Sequence, residues 1–482
     1  MKNTSRIVGV GIVAAGLLLA TAGCTSTPTS STTSAPPATS SAAPTTSAAP
    51  TTSAAPTSTA AGGGYVYFMN FKPEVADKYA AIVAEYKKET GVDVKVVTAA
   101  SGTYAQQLTS EMAKSQPPTI FQINGPVGYA TWKDYCADLT NSDIYKHLSD
   151  QSLAVSTSSG VWGVPYVVEG YGIIYNDAIM KKYFALPNKK VSINSATEIT
   201  SWDLLQQVVT DMTANKDALG IKGVFSNTSL KPGEDWRWQT HLMNIPLFYE
   251  FSADKVDLTK GTPPTIKFSN SANMKNLFDL YLNNSTTAKT LLGSKTVDDS
   301  MAEFALGQSA MIQNGNWAWN QIKGVQGNTV QPADVHMLPL YMGNQGEEGY
   351  GIPIGTENYF SINAKADPAS QKASLDFLTW LFSSDYGKKA VSNDLGFIAP
   401  FDWFTGAGPA DPLAQEVMAW MSKPNIKSVP WSGFQVMPNQ DWKNNLGGDL
   451  LQYAQGKMDW DALTKAAVAD WAKQAAAPAA SS

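Results

Sequence analysis

The chain has 482 residues, with 35 Lys and Arg against 41 Asp and Glu, for a formal net charge of −6. A mildly acidic balance with no basic cluster excludes a nucleic-acid binder, which gathers Lys and Arg to meet phosphates. Residues from about 65 to 475 are enough for two large lobes, each with its own core.

The N-terminus carries Lys2 and Arg6, then the uncharged, largely apolar run Ile7 to Ala20. That run is too short for a stable bilayer-spanning helix and reads as a secretory signal, residues 1–23. It ends in Thr21-Ala22-Gly23-Cys24, small residues before a cysteine as at a bacterial lipoprotein processing site, although Thr21 stands where Leu, Val or Ile is usual. Lipid on Cys24 would anchor the mature chain at roughly 0.8 kcal/mol per buried methylene. From Thr25 to Ala61 every residue is Thr, Ser, Pro or Ala, and Thr45 to Pro50 repeats as Thr51 to Pro56. With no large apolar side chain this stretch cannot build a core, so residues 24–64 are expected to form a lipidated, disordered tether. These features place the folded part at the outer face of the cell membrane.

With Cys24 lipidated, Cys136 has no disulfide partner and reads as a small core residue. His147, His241 and His336 lack metal-site spacing, and no catalytic or cofactor motif appears, so neither metal nor cofactor is expected.

Tyr65 to Met69 reads as a buried strand, Asn70-Phe71-Lys72 as a loop, and Pro73 as a first helical residue. Val75, Tyr79, Ile82, Val83 and Tyr86 then share one helical face, and Gly91 caps it. A strand over Val92 to Val97 completes a strand–helix–strand crossover, the unit of a parallel sheet. A helix over Tyr104 to Lys114 and a strand over Thr119 to Ile123 continue the pattern. Open α/β sheets bind ligands beside the C-terminal ends of their strands. Asn70, Gln122 and Asn124 occupy such loops, although turn chemistry also favours Asn there.

Farther on, Val161 to Tyr166 leads through Glu169 into the apolar strand Tyr171 to Asn176. Gly170 and Gly172 would permit a hinge. Ser201 is a capping hydroxyl for a helix with Leu204, Leu205, Val208, Val209 and Met212 on its apolar face. The stretch Gly233 to Trp238 joins Asp235 to Trp236 and Trp238; ring faces can stack there while charged heads bond hydroxyls. Phe304 to Trp319 reads as a helix end at Gly307, a strand at Ala310 to Ile312, a turn at Asn314-Gly315-Asn316, and two tryptophans. A loop presenting Trp317 at the end of a buried strand suits a flat, partly apolar ligand; an isolated Trp pair is otherwise core.

Two of these segments, Gly163 to Asn176 and Phe304 to Trp317, resemble those of the family-1 extracellular solute-binding proteins of carbohydrate ABC transporters, the family of the maltose-binding protein. The resemblance covers most of residues 65 to 475. It implies an α/β, two-lobed, periplasmic-binding-protein-like fold of type II with hinge crossings. Lobe 1 would hold 65–168 and 345–397, lobe 2 would hold 169–344 and 398–475, and 476–482 would form a disordered tail. It further implies that Trp317 stacks on a sugar ring, that Glu169 bonds sugar hydroxyls with Tyr171 nearby, and that Tyr350 and Gly355 lie against the ligand. Asp235 and Trp236 fall near an acidic-aromatic patch of the family, and either Trp431 or Trp442 matches a second stacking residue. Gln122 and Gly125 stand where the maltose-binding protein has an aromatic and a carboxylate, which argues against maltose itself. The implied protein is a monomeric, non-enzymatic receptor delivering a carbohydrate, expected to be an oligosaccharide, to a membrane permease. Two alternatives are a receptor for a polyol or peptide, and a surface glycosidase using Glu169 and Asp235 as paired carboxylates.

Overall fold

A computed structural model describes residues 64–477, except Ser101 and Ala407. The expected signal, Cys24 and nearly all of the tether lie outside the described residues. Two six-stranded sheets organise the chain.

The first sheet takes β1 (Val66–Asn70), β2 (Val94–Thr98), β3 (Ile120–Ile123), β4 (Val155–Thr157) and β5 (Gly160–Pro165). The second opens with β6 (Glu169–Asn176), followed by β7 (Gly223–Phe225), β8 (Ser309–Gly315), β9 (Val335–Leu338) and β10 (Tyr350–Gly355). The chain then returns to the first sheet as β11 (Tyr359–Ile362) and later adds β12 (Lys427–Val429) to the second. The first sheet runs β2-β1-β3-β11-β5-β4; the second runs β12-β10-β6-β8-β7, with β9 also on β6.

Both sheets are covered on both faces. Phe68 packs into one core of the first lobe and its neighbour Met69 into another. In the second lobe Ile173 and Ile174 likewise enter opposite cores. Successive strand residues point to opposite faces, so runs of apolar residues are what a doubly covered sheet needs. The predicted helix after β1 starts as a 3-10 turn, Pro73–Lys78, and continues as Tyr79–Thr90, ending at Gly91 with φ 77°. Ser201 caps the helix Trp202–Ala214, its side chain accepting from the Leu204 amide. Cys136 is buried in the first lobe's core, where burial pushes its thiol up to about 11.

Three expectations change. Strand β10 pairs with Glu169 and Gly170 of β6, so residues 350–355 belong to the second sheet and the return to the first comes after Gly355 rather than at 345. Phe401 and Phe404 stay in the first lobe's core, while Leu413 and Val417 enter the second's; the last crossing therefore lies after Phe404, not at 397. Gly170 and Gly172 are not loose hinge positions. A Cβ on Gly170 would lie 2.7 Å from Val417, and one on Gly172 would overlap the Leu338 carbonyl. These glycines let neighbouring elements approach β6 closely.

The topology brings two sheet edges together. Asn70 and Ile123 end parallel strands of the first sheet, and Tyr359, which starts β11, pairs with both Ile123 and Pro165. In the second sheet Glu169 starts β6 opposite Gly355, the end of β10, and Tyr171 lies opposite Gly315, the end of β8. Residues 166–168 and 356–358 link these two edges.

Candidate functional site: a ring-lined cleft between two lobes

Asn70 shapes the first-lobe loop. Its Oδ1 accepts from the Lys72 amide at 3.2 Å, and its Nδ2 donates to the Lys72 carbonyl at 2.9 Å and to Thr98 at 3.1 Å. Both ends of the amide are taken up within the loop. The loop directs Lys72 instead, whose Nζ lies 2.7 Å from Glu169 Oε1 and 3.5 Å from Glu74. Gln122 accepts from the Phe71 amide at 2.6 Å, which leaves its buried Nε2 without a protein partner. Asn124 is half-buried and its side chain makes no cap to the helix Gly125–Trp132.

Burial alone would lower the Lys72 ammonium, but Glu169, then Glu74 and Glu357, hold it above its ordinary range. Glu169 is raised chiefly by burial, with Lys72 opposing and the like charge of Glu74 adding to the rise. Burial likewise lifts Glu357, in the crossing segment, to about 7.

In the second lobe, Asn316 extends the β6–β8 ladder. Its amide donates to the Gly170 carbonyl at 3.0 Å, and its Oδ1 accepts from the Gly170 amide at 3.0 Å. Asn314 and Gly315, expected in a turn, are buried strand residues of β8. One residue, Gly170, thus anchors both Glu169 and the loop bearing Trp317. The Trp317 ring folds back over Gly315, where any side chain would collide with it. The half-buried indole lies 5.2 Å from the His241 ring, 6.1 Å from that of Trp236 and 5.9 Å from Lys72 Nζ. Its neighbours are second-lobe rings and a first-lobe cation, so it lies where the two lobes meet.

Trp236 precedes a π-helix, Arg237–Leu242, a helical form frequent at functional sites. The Arg237 guanidinium lies 3.4 Å from the centre of the Trp236 ring, and its Nε donates to Asn314 at 3.3 Å. Burial pulls Arg237 down to about 9, against the pull of Glu74, Glu234, Glu357 and Asp298. Asp235 turns away towards Gln239, at 3.4 Å, and the helix Gln440–Ala454, where Gly447 leaves room for its carboxylate. Trp236, not Asp235, faces Trp317. Trp238 is core, its Nε1 held by the Thr228 and Ser229 carbonyls. Tyr171 stacks on His241 at 4.5 Å, with its hydroxyl on the His241 carbonyl; it forms the floor under the imidazole.

Of the two late tryptophans, both buried, only Trp431 lies beside the rings of Tyr171 and His241. Its ring lies over Gly355, 5.3 Å from Tyr171 and 5.8 Å from His241. Trp442 is fully buried, its Nε1 donating to the Ala467 carbonyl at 3.0 Å and its ring against Trp471. It is core, which corrects its expected stacking role. Tyr350 is also corrected. It packs on Phe248 and Tyr249 at the far end of β10 from Gly355, roughly 17 Å away at the rise of a strand.

Seven buried polar atoms around these rings lack a partner within the protein: Gln122 Nε2, Glu169 Oε2, Arg237 Nη1, both His241 nitrogens, Trp317 Nε1 and Trp431 Nε1. Buried polar groups are usually bonded; ten further such atoms among the described residues also lack a partner, so these seven mark a candidate site only together with the rings of Trp236, His241 and Trp317 that meet there. Of the residues involved, Arg237 and His241 were absent from the sequence-based site, and nothing in their local spacing announced them. Lys72 had a signal: it stands two residues beyond the end of β1. The lobes touch around this site. Gln435 donates to the Thr356 carbonyl at 3.1 Å and to the Tyr359 hydroxyl at 2.9 Å. At another point Gly102, with φ 73°, sets its backbone against that of Gly233, where a Cβ would lie 2.5 Å from the carbonyl oxygen.

Residues 81–416 match the bacterial extracellular solute-binding protein family, and the chain belongs to that family. No curated protein sequence matches it. Among solved structures, the solute-binding protein RafE in complex with raffinose is 18% identical with a TM-score of 0.66, covering 86% of this chain and 100% of its own. A chitin oligosaccharide binding protein is 17% identical with a TM-score of 0.64, covering 86% of this chain and 100% of its own. A sugar transporter protein from Bacillus licheniformis in complex with stachyose is 14% identical with a TM-score of 0.63, over 85% of this chain and 100% of its own. These likenesses establish the two-lobed fold. No helix among the described residues is long and apolar enough to cross a membrane.

Proposed function

We propose that this chain is the substrate-binding lipoprotein of an ABC importer, which captures an oligosaccharide between its lobes and delivers it to a membrane permease. The observation that carries this reading is the half-buried Trp317 indole between the lobes, ringed by buried polar atoms without protein partners. A sugar has apolar ring faces for indoles and hydroxyls for such atoms. Each stacked aromatic adds roughly 0.5–1.5 kcal/mol beyond the area it buries. Ligand that touches both lobes only when they are closed would shift the open–closed equilibrium. The structural relatives solved with raffinose and stachyose, and the chitin oligosaccharide binding protein, support an oligosaccharide over a polyol or peptide. Lipid on Cys24 would hold the receptor at the outer membrane face, beside its permease.

A glycosidase is the weaker reading. Glu169 is committed to Lys72 and Asp235 is turned to the helix behind it, so they do not form a facing acid pair. Calorimetric titration with raffinose, stachyose, maltose and chitin oligosaccharides is the test. At least one should bind with a Kd of micromolar order or tighter, be recovered intact, and raise stability by about 2.7 kcal/mol at a hundredfold excess over Kd. No binding by any of them, or release of shorter sugars, would overturn the proposal.

A further inference from the structure

His241 is among the most enclosed polar groups of the cleft. It is 1% exposed, and its ring lies within 6 Å of those of Tyr171, Trp236, Trp317 and Trp431, at 4.5, 5.3, 5.2 and 5.8 Å. Four aromatic neighbours are ordinary for a core side chain. What is not ordinary is that neither Nδ1 nor Nε2 has a partner. A structural histidine in a core has at least one nitrogen bonded, because an unmet buried polar atom is costly. The nearby Tyr171 hydroxyl serves neither nitrogen, since it is directed to the His241 carbonyl.

We infer that His241 is a specificity-determining ligand contact, its unpartnered ring nitrogens bonding oxygens of the bound sugar. The inference rests on the carbohydrate reading above and adds a residue and a chemical requirement to it. Burial, then the charges of Arg237, Lys72 and Lys443, push the imidazole well below its ordinary range, so it is neutral. A neutral imidazole has one N–H donor and one bare acceptor nitrogen. It therefore asks for one ligand oxygen that accepts and one hydroxyl that donates. The other unpartnered atoms named above are mostly donors: Arg237 Nη1, Gln122 Nε2, and the indole N–H groups of Trp317 and Trp431, against the acceptor Glu169 Oε2; Gln313 Oε1, on the side chain that donates to the Arg237 carbonyl, is a further acceptor. In a donor-rich cleft, the His241 acceptor nitrogen is one of the few places for a ligand hydroxyl to give its proton. Sugar hydroxyls both donate and accept, whereas a ligand rich only in ammonium or amide N–H would leave most of these donors unmet.

The test uses His241→Phe, which keeps a ring against Tyr171 but removes both nitrogens, and His241→Gln, which restores a donor and an acceptor. Each is titrated with whichever of raffinose, stachyose, maltose and chitin oligosaccharide the wild type binds most tightly. His241→Phe should retain the wild-type melting temperature without sugar and bind about 10-fold to 100-fold more weakly; His241→Gln should recover part of the loss. On the wild-type protein, that sugar should shift the His241 ring-nitrogen resonances while those of His147 and His336 stay in place. This second readout decides if His241→Phe fails to fold. Wild-type affinity in folded His241→Phe, or unmoved His241 resonances in saturating sugar, would overturn this inference and leave the carbohydrate reading standing. A wild type that binds none of the sugars would overturn both.

Discussion

Trp442→Ala should destabilise the second lobe by about 3–5 kcal/mol, the cost of truncating a fully buried indole. Its ring packs against Trp471 between the helices Gln440–Ala454 and Trp460–Ala475. The truncation opens a cavity there and also strips the Ala467 carbonyl of the indole N–H that bonds it, an additional penalty for a buried acceptor. Denaturant unfolding should show a lowered midpoint, and the protein that remains folded should bind sugar as the wild type does. A variant of unchanged stability whose sugar affinity has dropped tenfold would instead make Trp442 a stacking residue.

Trp317→Ala should have the opposite profile. The indole is half-buried and lies on the cleft rather than inside a core, so the folded protein should lose little stability. Removing its face forfeits both buried apolar area and the aromatic contact, at about 25 cal/mol per Å² and roughly 0.5–1.5 kcal/mol respectively. Affinity should fall at least about tenfold, equivalent to about 1.4 kcal/mol, with calorimetry as the measure. An unchanged affinity in the folded variant would remove Trp317 from the site.

The contrast between these two residues shows what a sequence can carry. Strands and helices of the first lobe were legible because doubly covered strands are apolar on successive residues and amphipathic helices keep their period. The lobe of β10 was not, since Gly-Tyr-Gly-Ile-Pro-Ile-Gly suits a buried strand in either sheet and only its partner, β6, decides. Tryptophan type alone could not separate Trp431 from Trp442. Both are buried, and the difference lies in what faces them: Tyr171 and His241 in one case, Trp471 and a helix carbonyl in the other. At Asn70 the sequence cannot separate an amide that closes a turn from one that meets a ligand, because both occupy the same kind of position; its amide bonds within the loop. His241 left no trace in its own neighbourhood of sequence. Its partners, Tyr171, Trp317 and Trp431, come from three distant segments that meet only in the folded cleft.

The most direct test of the interlobe sugar site is a crystal structure of the protein with the oligosaccharide it binds most tightly. A sugar ring should lie flat on the Trp317 indole at van der Waals distance, about 3.5–4 Å, with hydroxyls reaching Glu169 and Arg237. Sugar bound on an outer surface, or bound between the lobes without touching Trp317, would contradict it.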